Sequence, residues 1–124
     1  MKRDMDLVRK ILFALEASDN IGPDNGFHIE GYGDGVVGYH LMLMGEAGLL
    51  IAVDARSMGN RTAMMPVRLT WAGHEFLEAG RNDQRWGTAK SITAKLGNAS
   101  LDVFTSVLTE LAKQQLAKIL PGVI

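Results

Sequence analysis

The sequence predicts an α+β domain of winged-helix type with a C-terminal helical extension. Three observations carry that expectation. A helix-length segment closes on Glu46-Ala47-Gly48-Leu49-Leu50, where the glycine permits a sharp reversal. Two strand-like segments follow, Leu49–Asp54 and Met65–Leu69, near enough to form a hairpin, the wing. The second runs straight into Arg68-Leu69-Thr70-x-x-Gly73, in which Thr70 is placed to cap the next helix.

Each element has a local reason. Residues 4–18 carry Met5, Val8, Ile11, Leu12 and Leu15 at three- and four-residue steps, which makes one apolar helical stripe. Asp4 and Asp6 stand in its first turn, where acids suit the helix dipole. Ser18 to Gly26 is dense in turn formers and reads as a loop. Phe27 to Tyr32 alternates apolar and polar, the pattern of a short strand. A helix is expected from Asp34 to Ala47, with Gly48 ending it. Its glycines, Gly35, Gly38 and Gly45, each cost about 1 kcal/mol relative to alanine, so it depends on tertiary packing. Arg56–Thr62 is a polar turn between the two strands. Thr70 opens a helix through Gly80, with Trp71, Phe76 and Leu77 as its apolar face. A shorter helix runs from about Arg85 to Leu96 and stops at Gly97-Asn98. Ser100 caps a last helix to Leu120, with Pro121-Gly122 as its stop. The division expected is a winged-helix-like core over 1–80 and a helical extension over 81–124, within one domain.

Length and composition exclude several classes. A chain of 124 residues and 13.5 kDa builds one core. It has no cysteine, hence no disulfide framework, thiolate metal site or cysteine nucleophile. The longest apolar run, Leu49 to Val53, falls far short of a spanning helix, and the N-terminus has acids where a secretory signal has an apolar run. No membrane partner and a cytoplasmic location are therefore expected. The net charge of −1 does not fit a basic coat protein for nucleic acid.

Four functional readings arise from particular residues. For DNA binding, the helix before the wing would present Tyr39 and His40, with Arg56 and Arg61 in the wing and Lys2 and Arg3 at the start touching backbone. That helix holds no Lys or Arg, so bidentate guanine contacts are missing. Residues 1–62 carry 6 basic and 9 acidic side chains, a net of −3, whereas residues 63–124 carry 7 and 5, a net of +2. The half expected to read DNA is the acidic one. For nucleotide binding, Gly33-x-Gly35-x-x-Gly38 with Asp54 some twenty residues on has the spacing of a dinucleotide fingerprint. Against it, no apolar parallel strand precedes the glycines and no strand is visible after residue 70. His28, His40 and His74 have no second ligand at metal spacing, and no nucleophile elbow or phosphate loop is present, so no metal, cofactor or catalytic residue is expected. For self-association, the long amphipathic last helix is suited to a homodimer.

Several segments of the chain resemble a known family. Met1-Lys2-Arg3-Asp4-Met5-Asp6-Leu7-Val8-Arg9-Lys10-Ile11-Leu12, Ile29-Glu30-Gly31-Tyr32, Tyr39-His40-Leu41, Glu46-Ala47-Gly48-Leu49-Leu50 and Arg68-Leu69-Thr70-Trp71-Ala72-Gly73-His74-Glu75-Phe76-Leu77 are similar to the bacterial and prophage family called domain of unknown function 2513. The resemblance runs from residue 1 to about 115. It implies a winged-helix-like fold of bacterial or phage origin and brings no established activity. The expected role is a non-enzymatic regulatory or accessory module acting by protein interaction or oligomerisation. Weak DNA binding and nucleotide binding at the glycine loop are the alternatives.

Overall fold

A computed structural model describes residues 1–18, 27–54 and 64–120. The elements are α1 (Met5–Ala17), α2 (Asp34–Glu46), β1 (Leu50–Asp54), β2 (Met64–Leu69), α3 (Trp71–Gly80), α4 (Asp83–Leu96) and α5 (Leu101–Ile119). The chain is α+β, with five helices and an antiparallel hairpin among the described residues. It divides inside α3 into two compact units, Met1–Leu77 and Glu78–Ile124. The polar turn Arg56–Thr62, most of the Ser18–Gly26 loop and the Pro121-Gly122 stop lie outside the described residues.

In the first unit α1 buries Val8, Ile11, Leu12 and Leu15 of the expected stripe, with Leu7 buried beside them and Met5 only half-buried. Asp4 is its N-cap, its carboxylate accepting from the backbone N–H of Asp6 at 2.9 Å and of Leu7 at 3.3 Å. α2 buries Val37, His40, Leu41 and Met44. Both helices pack on the hairpin and on each other. In the hairpin Leu50 stands opposite Leu69 and Ile51 opposite Arg68, and the register slips between Ile51 and Ala52, which faces Pro66. Val67 is left without an opposite residue, a bulge next to a proline, as edge strands often have.

The short strand expected over Phe27–Tyr32 is not formed. Phe27–Ile29 is irregular and Glu30–Tyr32 is a turn, closed by the Tyr32 N–H on the Ile29 carbonyl at 3.1 Å. Gly31 sits at φ +87°, a left-handed conformation that no strand continues through. The alternation Phe27/Ile29 against His28/Glu30 was too short to overrule that glycine.

The motifs Glu46-Ala47-Gly48-Leu49-Leu50 and Leu69-Thr70-x-x-Gly73 turn out to be two halves of one interlock. Gly48 ends α2 at φ +78°. Thr70 donates its backbone N–H to the Leu49 carbonyl at 3.1 Å and its hydroxyl to the Gly48 carbonyl. The same hydroxyl oxygen accepts the Gly73 N–H at 3.0 Å and so caps α3. Thr70→Val is expected to lower stability by about 1–2 kcal/mol, and Thr70→Ser to keep most of it, in urea unfolding.

The second unit is helical. Asn82 accepts the Arg85 N–H at 2.8 Å, which starts α4 two residues ahead of the expected Arg85. Trp86 packs on Phe104 of α5 with ring centroids 4.7 Å apart. Gly80 lies so close to the Trp86 ring that a Cβ there would come within 2.9 Å of it. The Arg85 guanidinium joins Ala79 O at 2.9 Å to Gln115 Oε1. Ser100 caps α5, accepting the Val103 N–H at 3.4 Å. Among the described residues no helix is long and apolar enough to cross a membrane.

Candidate functional site

Of the residues singled out for nucleic acid, Lys2, Arg3, Tyr39 and His40 are among the described residues. Lys2 and Arg3 are exposed ahead of α1, and Tyr39 is half-buried with its ring edge-on to His40. Arg56 and Arg61 lie outside the described residues. His40 leaves the set, because it is 0% exposed. Its ring Nδ1 lies 2.9 Å from the Val36 carbonyl, so it carries the proton and donates. Its Nε2 accepts the Asp4 backbone N–H at 2.8 Å. The imidazole is thus a neutral strut between α2 and the cap of α1. Nitrogen NMR of the ring is expected to find the Nδ1–H tautomer of His40, and the Nε2–H form would contradict this bonding. Of α2, Asp34, Gly35, Met42 and Glu46 are exposed, so its outward face offers acids at both ends and no cation. His28 Nδ1 lies 2.8 Å from the Asp34 carboxylate. Among the described residues no group of three or more His, Asp or Glu side chains could hold a metal.

The nucleotide reading loses its context. Gly33 is the N-cap of α2, while Gly35 and Gly38 lie inside the helix. No strand precedes them among the described residues, and the sheet is a two-stranded antiparallel one, not a parallel one. Asp54 ends β1 of that hairpin. A Cβ added at Gly33, Gly35 or Gly38 would meet nothing within 4 Å, so these glycines serve no close approach within the fold. Gly35→Ala is accordingly expected to stabilise the chain by about 0.5–1 kcal/mol, read as a shift of the urea midpoint at constant slope.

A different surface emerges where β2 enters α3. A cleft of about 290 Å³ is lined by Leu15 and Glu16 at the end of α1 with Ser18 just after it, by Val67, Arg68 and Leu69 of β2, and by His74 of α3. Val67, Arg68 and Leu69 border the cleft together at the place where the bulge interrupts the side-chain alternation of β2. The Arg68 guanidinium donates to the Leu69 carbonyl at 3.1 Å. Trp71, one helical turn before His74, is 81% exposed, and Val67 is 48% exposed. Tryptophan is highly buried on average, so an exposure of 81% is unusual for this side chain.

Sequence reasoning placed Trp71 on the apolar face of its helix, and the structure corrects that. The buried stripe of α3 is Gly73, Phe76, Leu77 and Gly80, at the i, i+3, i+4, i+7 spacing. Trp71, His74 and Glu75 fall on the exposed side. The signal was present: reading the glycines as stripe positions would have turned Trp71 outward.

Residues 2–99 match the model of the family described as "Hypothetical protein (DUF2513)". The chain is 39% identical over 122 residues to an "Uncharacterized protein" of Haemophilus influenzae, a match covering 94% of this chain and 100% of that one. No solved structure matches.

Proposed function

The chain belongs to the DUF2513 family, and from that premise we propose that it is a non-catalytic protein-interaction module of winged-helix type that docks its partner on the β2–α3 junction. The order helix, helix, hairpin, helix supports the winged-helix reading. The observation that carries the docking reading is Trp71, 81% exposed and one helical turn before His74, which lines the cleft with Arg68. An exposed tryptophan next to an arginine is the composition of an interface hot spot. DNA reading through α2 has no such support, since its outward residues are Asp34, Met42 and Glu46 without a cation.

The test is capture from a lysate of the source organism on immobilised wild-type chain and on Trp71→Ala. The wild type is expected to retain a defined polypeptide, identified by mass spectrometry, that Trp71→Ala loses. The variant should unfold within about 0.5 kcal/mol of the wild type, because an exposed side chain supports little of the fold. Equal retention by both proteins would overturn the proposal, as would salt-sensitive shifting of mixed duplexes by wild type and variant alike.

A second reading, self-association through α5, draws on one observation. Leu116, Ile119 and Leu120 are exposed at the end of α5, Ile119 at 74%. Sedimentation should then show a mass that rises with concentration and stays monomeric in Leu116→Glu with Ile119→Glu. A monomer at every concentration would remove this reading.

A further inference from the structure

We propose that the cleft along β2 takes an extended, carboxylate-bearing peptide segment of a partner protein, added to the hairpin as a third strand. This rests on the docking reading above and specifies its ligand. Among the described residues β2 has β1 on one side and no strand on the other. The Thr70 N–H points to the Leu49 carbonyl on the β1 side. Backbone groups of an antiparallel strand alternate sides, so those of Leu69 turn toward the open edge. The Arg68 guanidinium on the Leu69 carbonyl is in keeping with that direction. An open strand edge is a template for main-chain pairing, and Leu69, whose backbone groups turn to it, lines the cleft.

The side chains say what that segment carries. Leu15, Val67 and Leu69 give the cleft an apolar part, which suits one aliphatic residue of the incoming strand. Arg68 makes no ion pair among the described residues, and its guanidinium has donors beyond the one on Leu69. His74 makes no side-chain hydrogen bond among the described residues and lines the same cleft. Among the described residues Glu16 is the one acid in the lining, and it already has an interaction of its own. The unmatched chemistry is therefore that of donors for a carboxylate, which an arginine fork binds in bidentate fashion. Trp71, a turn away on α3, supplies an aromatic surface beside the cleft.

The probe is a random heptapeptide library displayed against the full chain, followed by titration of the selected peptide and of the same peptide N-methylated at alternate residues. Selected sequences are expected to share an aliphatic residue near Asp or Glu. N-methylation, which removes main-chain donors and leaves every side chain in place, is expected to weaken binding at least tenfold. Arg68→Glu, an exposed change, is expected to weaken the acidic peptide tenfold or more and to favour a version with Lys in place of the acid. Binding unchanged by N-methylation, or selected sequences with no acidic residue, would overturn the strand-addition proposal. Loss of the lysate partner in Trp71→Ala together with no selected peptide at all would also overturn it, while leaving the broader docking reading standing. If Trp71→Ala retained the lysate partner while the acidic peptide still bound at the edge, the docking reading would fail and the peptide site would remain.

Discussion

Gly73→Ala is expected to destabilise the protein by about 3–5 kcal/mol, the largest effect of any alanine substitution at a described glycine of the first unit. A Cβ at Gly73 would lie 1.9 Å from the Leu49 carbonyl oxygen and 2.9 Å from its carbon. Both are backbone atoms, so no side chain can swing aside. α3 would have to retreat from the turn after α2. That movement breaks the bond from the Thr70 N–H to Leu49, 3.1 Å long, and the hydroxyl bond to Gly48. Urea unfolding measures it, and the comparison with Gly35→Ala makes it specific. The same chemical change should lower the midpoint at Gly73 and raise it at Gly35, where a Cβ meets nothing within 4 Å. A Gly73→Ala protein within about 0.5 kcal/mol of wild type would contradict the interlock.

His40→Ala is the second large effect, at about 3 kcal/mol. It removes a fully buried ring and the acceptor of the Asp4 N–H. In a domain of roughly 60–100 residues that corresponds to a melting point lower by about 12–24 °C. The loss has a local signature. Asp4 caps α1 through Asp6 and Leu7, so the backbone amides of that first turn should exchange faster with solvent than those of α2. His40→Leu refills much of the volume and restores no acceptor, so it should recover stability without restoring protection at the first turn. Protection of that turn unchanged in both variants would show that the strut does not hold the cap.

What was legible in the sequence was whatever neighbouring residues decide. The stripe Val8, Ile11, Leu12, Leu15 is set by helical spacing alone, and it is buried as expected. Thr70 and Ser100 cap the helices that follow them because a cap reaches only two or three residues. Pairing of β1 with β2 follows from two apolar segments in sequence order. What was not legible depends on residues far apart. His40 reads as an outward polar residue until Asp4, 36 positions away, provides its partner. The cleft joins the end of α1, the edge of β2 and the first turn of α3, and no local pattern announces such a meeting. Trp71 was misplaced for a different reason. Its hydrophobicity points inward while its angle on the helix points outward, and Gly73 and Gly80, which fill the buried stripe, carry no hydrophobic signal.

The motif Leu69-Thr70-Trp71-Ala72-Gly73-His74-Glu75-Phe76-Leu77 divides into two sets of residues. Leu69, Gly73, Phe76 and Leu77 are buried and Thr70 is bonded into the interlock, so they answer to the fold. Trp71, His74 and Glu75 are exposed, and the fold makes no demand for an aromatic or an imidazole there. Residues of the second kind are where a binding function is to be sought.

The most direct measurement is an amide NMR titration of the full chain with the partner captured on Trp71. Perturbed signals are expected at Val67–His74 and at Leu15–Ser18, with the outward residues of α2 unmoved. Perturbations confined to Tyr39, Met42 and Glu46, with Val67–His74 silent, would contradict docking at the β2–α3 junction and return the function to α2.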